Sequence, residues 1–155
     1  MNMIFALTSF AAMALTAPAP APVQDQEVIK FTLAKEGKAG APVSGTVTIT
    51  IPEGWHAYQN PPTDKSGQTP VTVTSPDKSV VLKSVKYPKG FMMDSFGTPS
   101  AVYEGTIKIP VSLVFKTPGK QTAKLKVLYM QCNDRTCMPP KFVNLTAPIT
   151  IKKGP

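Results

Sequence analysis

The chain has 155 residues, two cysteines, one histidine and a formal net charge of +8. That length fits one domain behind an N-terminal targeting segment, and a domain of that size builds a core without several disulfides to hold it. The charge sits almost wholly on scattered lysines, with Arg135 the only arginine. No basic run is joined to arginine and stacking aromatics, which argues against a nucleic-acid partner; solvated strand faces or an acidic partner account for the lysines.

Residues 3–15 are small and apolar, including Ile4, Phe5, Leu7, Phe10 and Met13. About a dozen such residues fall short of the roughly 20 that cross a bilayer and match a signal-peptide core, with cleavage after Ala14 as a suitable site. Ala and Pro alternate from Ala17 to Pro22, an extended linker. The expected organisation is therefore a signal peptide and linker over 1–22 and one domain over 23–155, exported to the periplasm or secreted.

From Glu27 the chain reads as a succession of short strands. Val28, Ile29, Phe31 and Leu33 begin it, and Val47, Ile49 and Ile51 alternate with threonines at a period of two, which buries one face. Further strands are predicted over 71–74, 80–86, 101–109, 111–115, 122–129 and 142–151. Turn signals such as Pro52-Glu53-Gly54 and Thr117-Pro118-Gly119 fall between them. No stretch keeps a helical period. Seven or eight strands at this spacing predict an all-β, two-sheet antiparallel sandwich. Residues 55–69 and 89–99 read as long irregular loops, a common seat of function.

The run Tyr129-Met130-Gln131-Cys132-Asn133-Asp134-Arg135-Thr136-Cys137-Met138-Pro139-Pro140 carries the most chemistry. Strands on both sides place the cysteines at the mouth of a hairpin, where opposed positions lie close enough to bridge. Asn133 and Asp134 suit the turn, because their side chains bond nearby backbone. Closing so short a loop stabilises by only roughly 2 kcal/mol, little for a bridge selected for stability. An edge-located bridge is instead open to an attacking thiolate. Arg135 favours a thiolate and Asp134 opposes it. Redox exchange, an inert clamp and metal ligation all remain readings of the pair. Met92, Met93, Met130 and Met138 add soft donors of the kind that select Cu(I), so an exported copper carrier is one alternative function and a structural β-sandwich binding module with an inert disulfide is another. Nothing matches a Gly-x-Ser-x-Gly nucleophile turn or a phosphate-cradling loop.

Three segments together resemble the periplasmic N-terminal domain of the thiol:disulfide interchange reductase DsbD. They are Gly54-Trp55-His56-Ala57-Tyr58, Asp94-Ser95-Phe96-Gly97 followed by Val102-Tyr103-Glu104-Gly105, and the cysteine run itself. The resemblance implies an immunoglobulin-like sandwich and a protein-disulfide reductase type of activity, with no cofactor. It makes Cys137 the sulfur that forms mixed disulfides and Cys132 the one that resolves them. It also implies a cap loop over the pair, with Phe96 (or Ser95) as the cover and Tyr58 lining the site. Partners would be periplasmic thioredoxin-like or other disulfide-exchange proteins. The chain stops at Pro155 without a membrane domain, so a membrane-embedded electron donor is expected on a separate chain. His56, the single histidine, either lines this face and assists proton transfer or is a loop residue without catalytic duty. Trp55 reads as a core filler.

Overall fold

The computed structural model describes residues 28–63 and 67–154. The expected signal peptide and linker lie outside these residues. Every regular element described is a strand, and the fold is an immunoglobulin-like β-sandwich.

The first sheet has the order β1-β3-β9-β6, built from β1 (Val28–Leu33), β3 (Pro42–Thr50), β9 (Thr106–Phe115) and β6 (Val80–Val85). The second runs β2-β12-β10-β5, from β2 (Glu36–Lys38), β12 (Lys141–Lys152), β10 (Gly119–Tyr129) and β5 (Thr72–Thr74). Alternation decides what each strand buries. Val47 and Ile49 of β3 turn inward with Ile109, Leu113 and Phe115 of β9, and from the second sheet come Leu125, Val127 and Tyr129 of β10 with Leu145 and Ile149 of β12. Each such side chain contributes about 1.5–3 kcal/mol by leaving water. The lysines of β10 at 120, 124 and 126 occupy the alternate, outward positions.

The structure corrects the expected strand pattern in three places. There are three sheets rather than two, and one pairing, β2 with β12, is parallel. The predicted strands over 101–109 and 111–115 are cut at the wrong residue. The real break is at Gly105, whose φ is +61°. β9 then runs through Pro110, whose carbonyl still accepts the Lys86 N–H. A proline in a ladder forfeits only its donor. Finally, the two predicted loops are not structureless. They contain β4 (His56–Tyr58) and β7 (Phe91–Ser95), and with β8 (Thr98–Tyr103) and β11 (Gln131–Cys132) these form the third sheet, in the order β11-β4-β8-β7.

Candidate functional site: a cysteine turn on a small third sheet

β10 and β12 pair without interruption up to Tyr129 opposite Lys141. The eleven residues between them leave the second sheet, and β11 joins β4 instead. Cys132 and Cys137 face each other there as an antiparallel bridge and are joined in a disulfide, with Cα atoms 4.0 Å apart. Two backbone bonds enclose the pair: Asn133 N–H donates to Thr136 O at 2.9 Å and Met138 N–H to Gln131 O at 2.8 Å. The cysteines thus take the non-hydrogen-bonded position of the ladder, where Cα atoms come closest. Asn133 holds the turn, its Oδ1 accepting the N–H groups of Arg135 and Thr136, both at 2.9 Å. This is the local side-chain bonding expected of Asn in a turn. The two sulfurs sit in unlike surroundings: Cys132 is 0% exposed and Cys137 is exposed.

The third sheet presents two faces because its strands alternate. Ala57 and Tyr103, register partners, turn into the main core. On the other face, Cys132 packs with Tyr58 and Val102, and Met93 and Met130 cover them. His56 stands directly opposite Cys132 in the β4–β11 register. Its imidazole is 3% exposed and meets Tyr58 edge-on, with ring centroids 5.5 Å apart. Nε2 lies 3.4 Å from the Tyr58 hydroxyl, which in turn lies 2.6 Å from Ser95 Oγ. Burial holds the His56 pKa below the usual imidazole value, while Glu104 and Asp134 act in the opposite sense.

β7 and β8 form a hairpin whose two-residue turn is Phe96-Gly97, with φ of 54° and 79°. Positive φ at both positions is the type I′ geometry that matches strand twist. Asp94 Oδ1 caps it by accepting the Gly97 N–H at 2.8 Å. At the hairpin's base, the Gly90 N–H donates to Gln59 Oε1 at 2.6 Å, and a Cβ on Gly90 would lie 2.5 Å from the Val102 carbonyl oxygen. Phe91, Met92 and Phe96 are exposed, so the hairpin carries an apolar margin.

A cavity of about 300 Å³ separates the hairpin tip from the cysteine turn, lined by His56, Asp94, Ser95, Phe96, Asn133 and Asp134. His56, Phe96 and Asp134 are therefore brought together, and Tyr58 lies beneath them, bonded to Ser95. Between the two covering residues considered from sequence, Ser95 is turned inward and buried while Phe96 stands at the tip, 56% exposed. Arg135 is exposed on the turn and does not line the cavity. Trp55 packs against the main core. Sequence reasoning missed Glu104 and Val102 as neighbours of the site; only the register of β4 with β8 brings them there.

A family model described as "Thiol:disulfide interchange protein DsbD, N-terminal" matches residues 13–146. Among solved structures, the chain is similar to the N-terminal domain of Neisseria meningitidis DsbD in the reduced form. The identity is 19% and the TM-score 0.53, over 84% of this chain and 90% of that one. It is also similar to the N-terminal periplasmic domain of ScsB from Proteus mirabilis, at 12% identity and a TM-score of 0.60. That match covers 85% of this chain and 49% of the other, so the chain spans about half its length. No curated protein sequence matches. Among the described residues, no helix is long and apolar enough to cross a membrane.

Proposed function

Because the chain belongs to the DsbD N-terminal family, a family of thiol–disulfide exchange, we propose that Cys132 and Cys137 form a redox pair passing reducing equivalents to client oxidoreductases in the periplasm. The observation that carries this reading is the unequal exposure of the two sulfurs. An exchange carrier needs one sulfur that a large client can reach and a second that it cannot. Cys137 takes the first role: its thiolate attacks a client disulfide, forming Cys137–S–S–client and expelling the other client thiolate. Cys132 then attacks Cys137, the bridge closes, and the second client sulfur leaves with the electron pair. The carrier dithiol has become a disulfide and the client disulfide a dithiol. An upstream dithiol, supplied by a membrane-embedded donor on a separate chain, resets the bridge.

The hairpin has a place in this scheme. A bulky side chain at positive φ is strained, and Phe96 accepts that conformation at the tip nearest the cysteine turn. The position suits a cover that withdraws for a client, with Phe91 and Met92 offering apolar contact to a thioredoxin-like partner. Asp134 and Arg135 give the turn a charge of each sign.

Copper carriage is the second reading, favoured by the packing of Met93 and Met130 on the cluster that holds Cys132. It ranks behind exchange because Met92 is exposed and Met138 lies beyond Cys137 on the exit chain.

The deciding measurement is the reduction potential of the pair in glutathione and dithiothreitol buffers, read by thiol trapping. A value above about −300 mV supports a carrier, and a bridge that stays closed to lower potentials means an inert clamp. Cu(I) added to the reduced protein separates the second reading, since a metal carrier gains thermal stability with its ligand and an exchanger does not.

A further inference from the structure

We infer that His56 is the proton acceptor for Cys132 in the release step, and that it returns this proton to the departing client thiolate. The inference rests on the exchange reading above. Cys132 cannot attack as a thiol, and its sulfur is wholly buried, where apolar surroundings disfavour the thiolate. In the closed bridge Cys132 has no exposed surface through which water could take the proton. The proton therefore has to pass to a group on the same face of the third sheet, and the basic side chain placed there is His56, directly across the register.

The surroundings of His56 fit both halves of such a transfer. Burial holds the His56 pKa below its ordinary value, which favours the neutral imidazole able to accept a proton. Glu104 and Asp134 favour the imidazolium once it forms, and Asp94 lines the same cavity. The Tyr58 hydroxyl holds the ring in place by a long 3.4 Å hydrogen bond to Nε2, its shorter bond being the 2.6 Å one to Ser95 Oγ. His56 also lines the cavity beside the cysteine turn, so the accepted proton has a path outward. The step balances. Cys132–SH gives its proton to His56, and the Cys132 thiolate bonds to Cys137. The Cys137–client bond breaks, and the client thiolate takes its proton from the imidazolium.

The test uses the whole reduced chain and the aromatic disulfide dithiobis(nitrobenzoate) as client; its thiolate stays ionised near neutrality, so in this assay the imidazolium passes its proton to solvent and only the acceptance of the Cys132 proton is read. Stopped-flow absorbance shows one thiolate released on attack by Cys137 and a second on closure by Cys132. Relative to the first phase, His56→Phe and His56→Gln should slow the second by about 100-fold near neutrality. They should also move its pH midpoint from the imidazole range towards that of a thiol. Gln keeps a polar side chain but cannot carry a proton, so recovery of the wild-type second phase in His56→Gln overturns the inference. A second measurement needs no change at His56. The single histidine is titrated by NMR in Cys132→Ser held as its mixed disulfide. Its midpoint should coincide with that of the wild-type second phase, and a mismatch overturns the proposal even if the His56 variants fail to fold. Absence of the first phase in the unsubstituted chain removes the exchange reading, and this inference with it. A normal first phase with an unaltered second removes the inference alone.

Discussion

His56 and Cys132 occupy opposed positions of a two-residue ladder between β4 and β11. This pairing unites parts of the chain some 75 residues apart and puts the cysteine strand in the same sheet as the β7–β8 hairpin, with β4 between them.

Single cysteine substitutions should behave oppositely. Cys137→Ala should abolish mixed-disulfide formation with a thioredoxin-like client, whereas Cys132→Ala should accumulate it, read on non-reducing gels. The reverse pattern would exchange the two roles.

Stability should fall on mild acidification. The folded pKa of His56 lies below its ordinary value of 6.5, so between the two values the unfolded chain binds more protons and stability rises with pH. The stabilisation is complete above about pH 6.5 and is lost as pH falls from there through the lowered folded value. Urea midpoints across this range should slope accordingly, and His56→Phe should flatten the profile.

The Tyr58–Ser95 bond should couple the hairpin to the sheet. Tyr58→Phe leaves Ser95 Oγ without its 2.6 Å partner and should cost about 1–3 kcal/mol. Adding Ser95→Ala should cost less than the sum of the two changes, by at least about 0.5 kcal/mol in a double-mutant cycle. Strict additivity would mean that the bond does not anchor the hairpin.

Phe96→Asn should separate stability from protection. Asn-Gly is the preferred pair for a type I′ turn, and relief of the positive-φ strain at residue 96 should raise stability by about 1 kcal/mol. If Phe96 is the cover, the same substitution should speed alkylation of the reduced pair by iodoacetamide. An unchanged alkylation rate would remove Phe96 from that role.

Gly90→Ala should be tolerated poorly. The new methyl would press on the Val102 carbonyl oxygen at 2.5 Å, and the base of the hairpin would have to shift, at about 1–3 kcal/mol. Thermal unfolding measures the loss.

Much of this arrangement was legible in the chain. Strands with one buried face announced themselves by alternation, as in β3 and β10, and the cysteine turn declared its geometry through Asn133. The third sheet was not legible, for physical reasons. β4 is three residues long and all three are buried, so it has neither the length nor the alternation that marks a strand. β7 is largely exposed, and its pairing follows from the turn at 96–97, where a Phe replaces the Asn or Gly that usually marks such a turn. Pro110 suggested a strand end and Gly105 made one. The cysteine motif was therefore readable in isolation and the company of His56, Ser95 and Tyr58 was expected only through the family resemblance, while the burial of one sulfur depended on long-range register.

The backbone ring around the cysteines has a kinetic meaning of its own. The bonds from Asn133 to Thr136 and from Met138 to Gln131 do not require the sulfur–sulfur link, so opening that link need not release the turn. The two thiols would then face each other at a high effective molarity, with little chain entropy to lose on reclosure. A client joined to Cys137 would be discharged soon after it is captured, making the covalent complex a brief species in the wild-type chain. Such a carrier favours turnover over retention, serving many partners in succession instead of holding one.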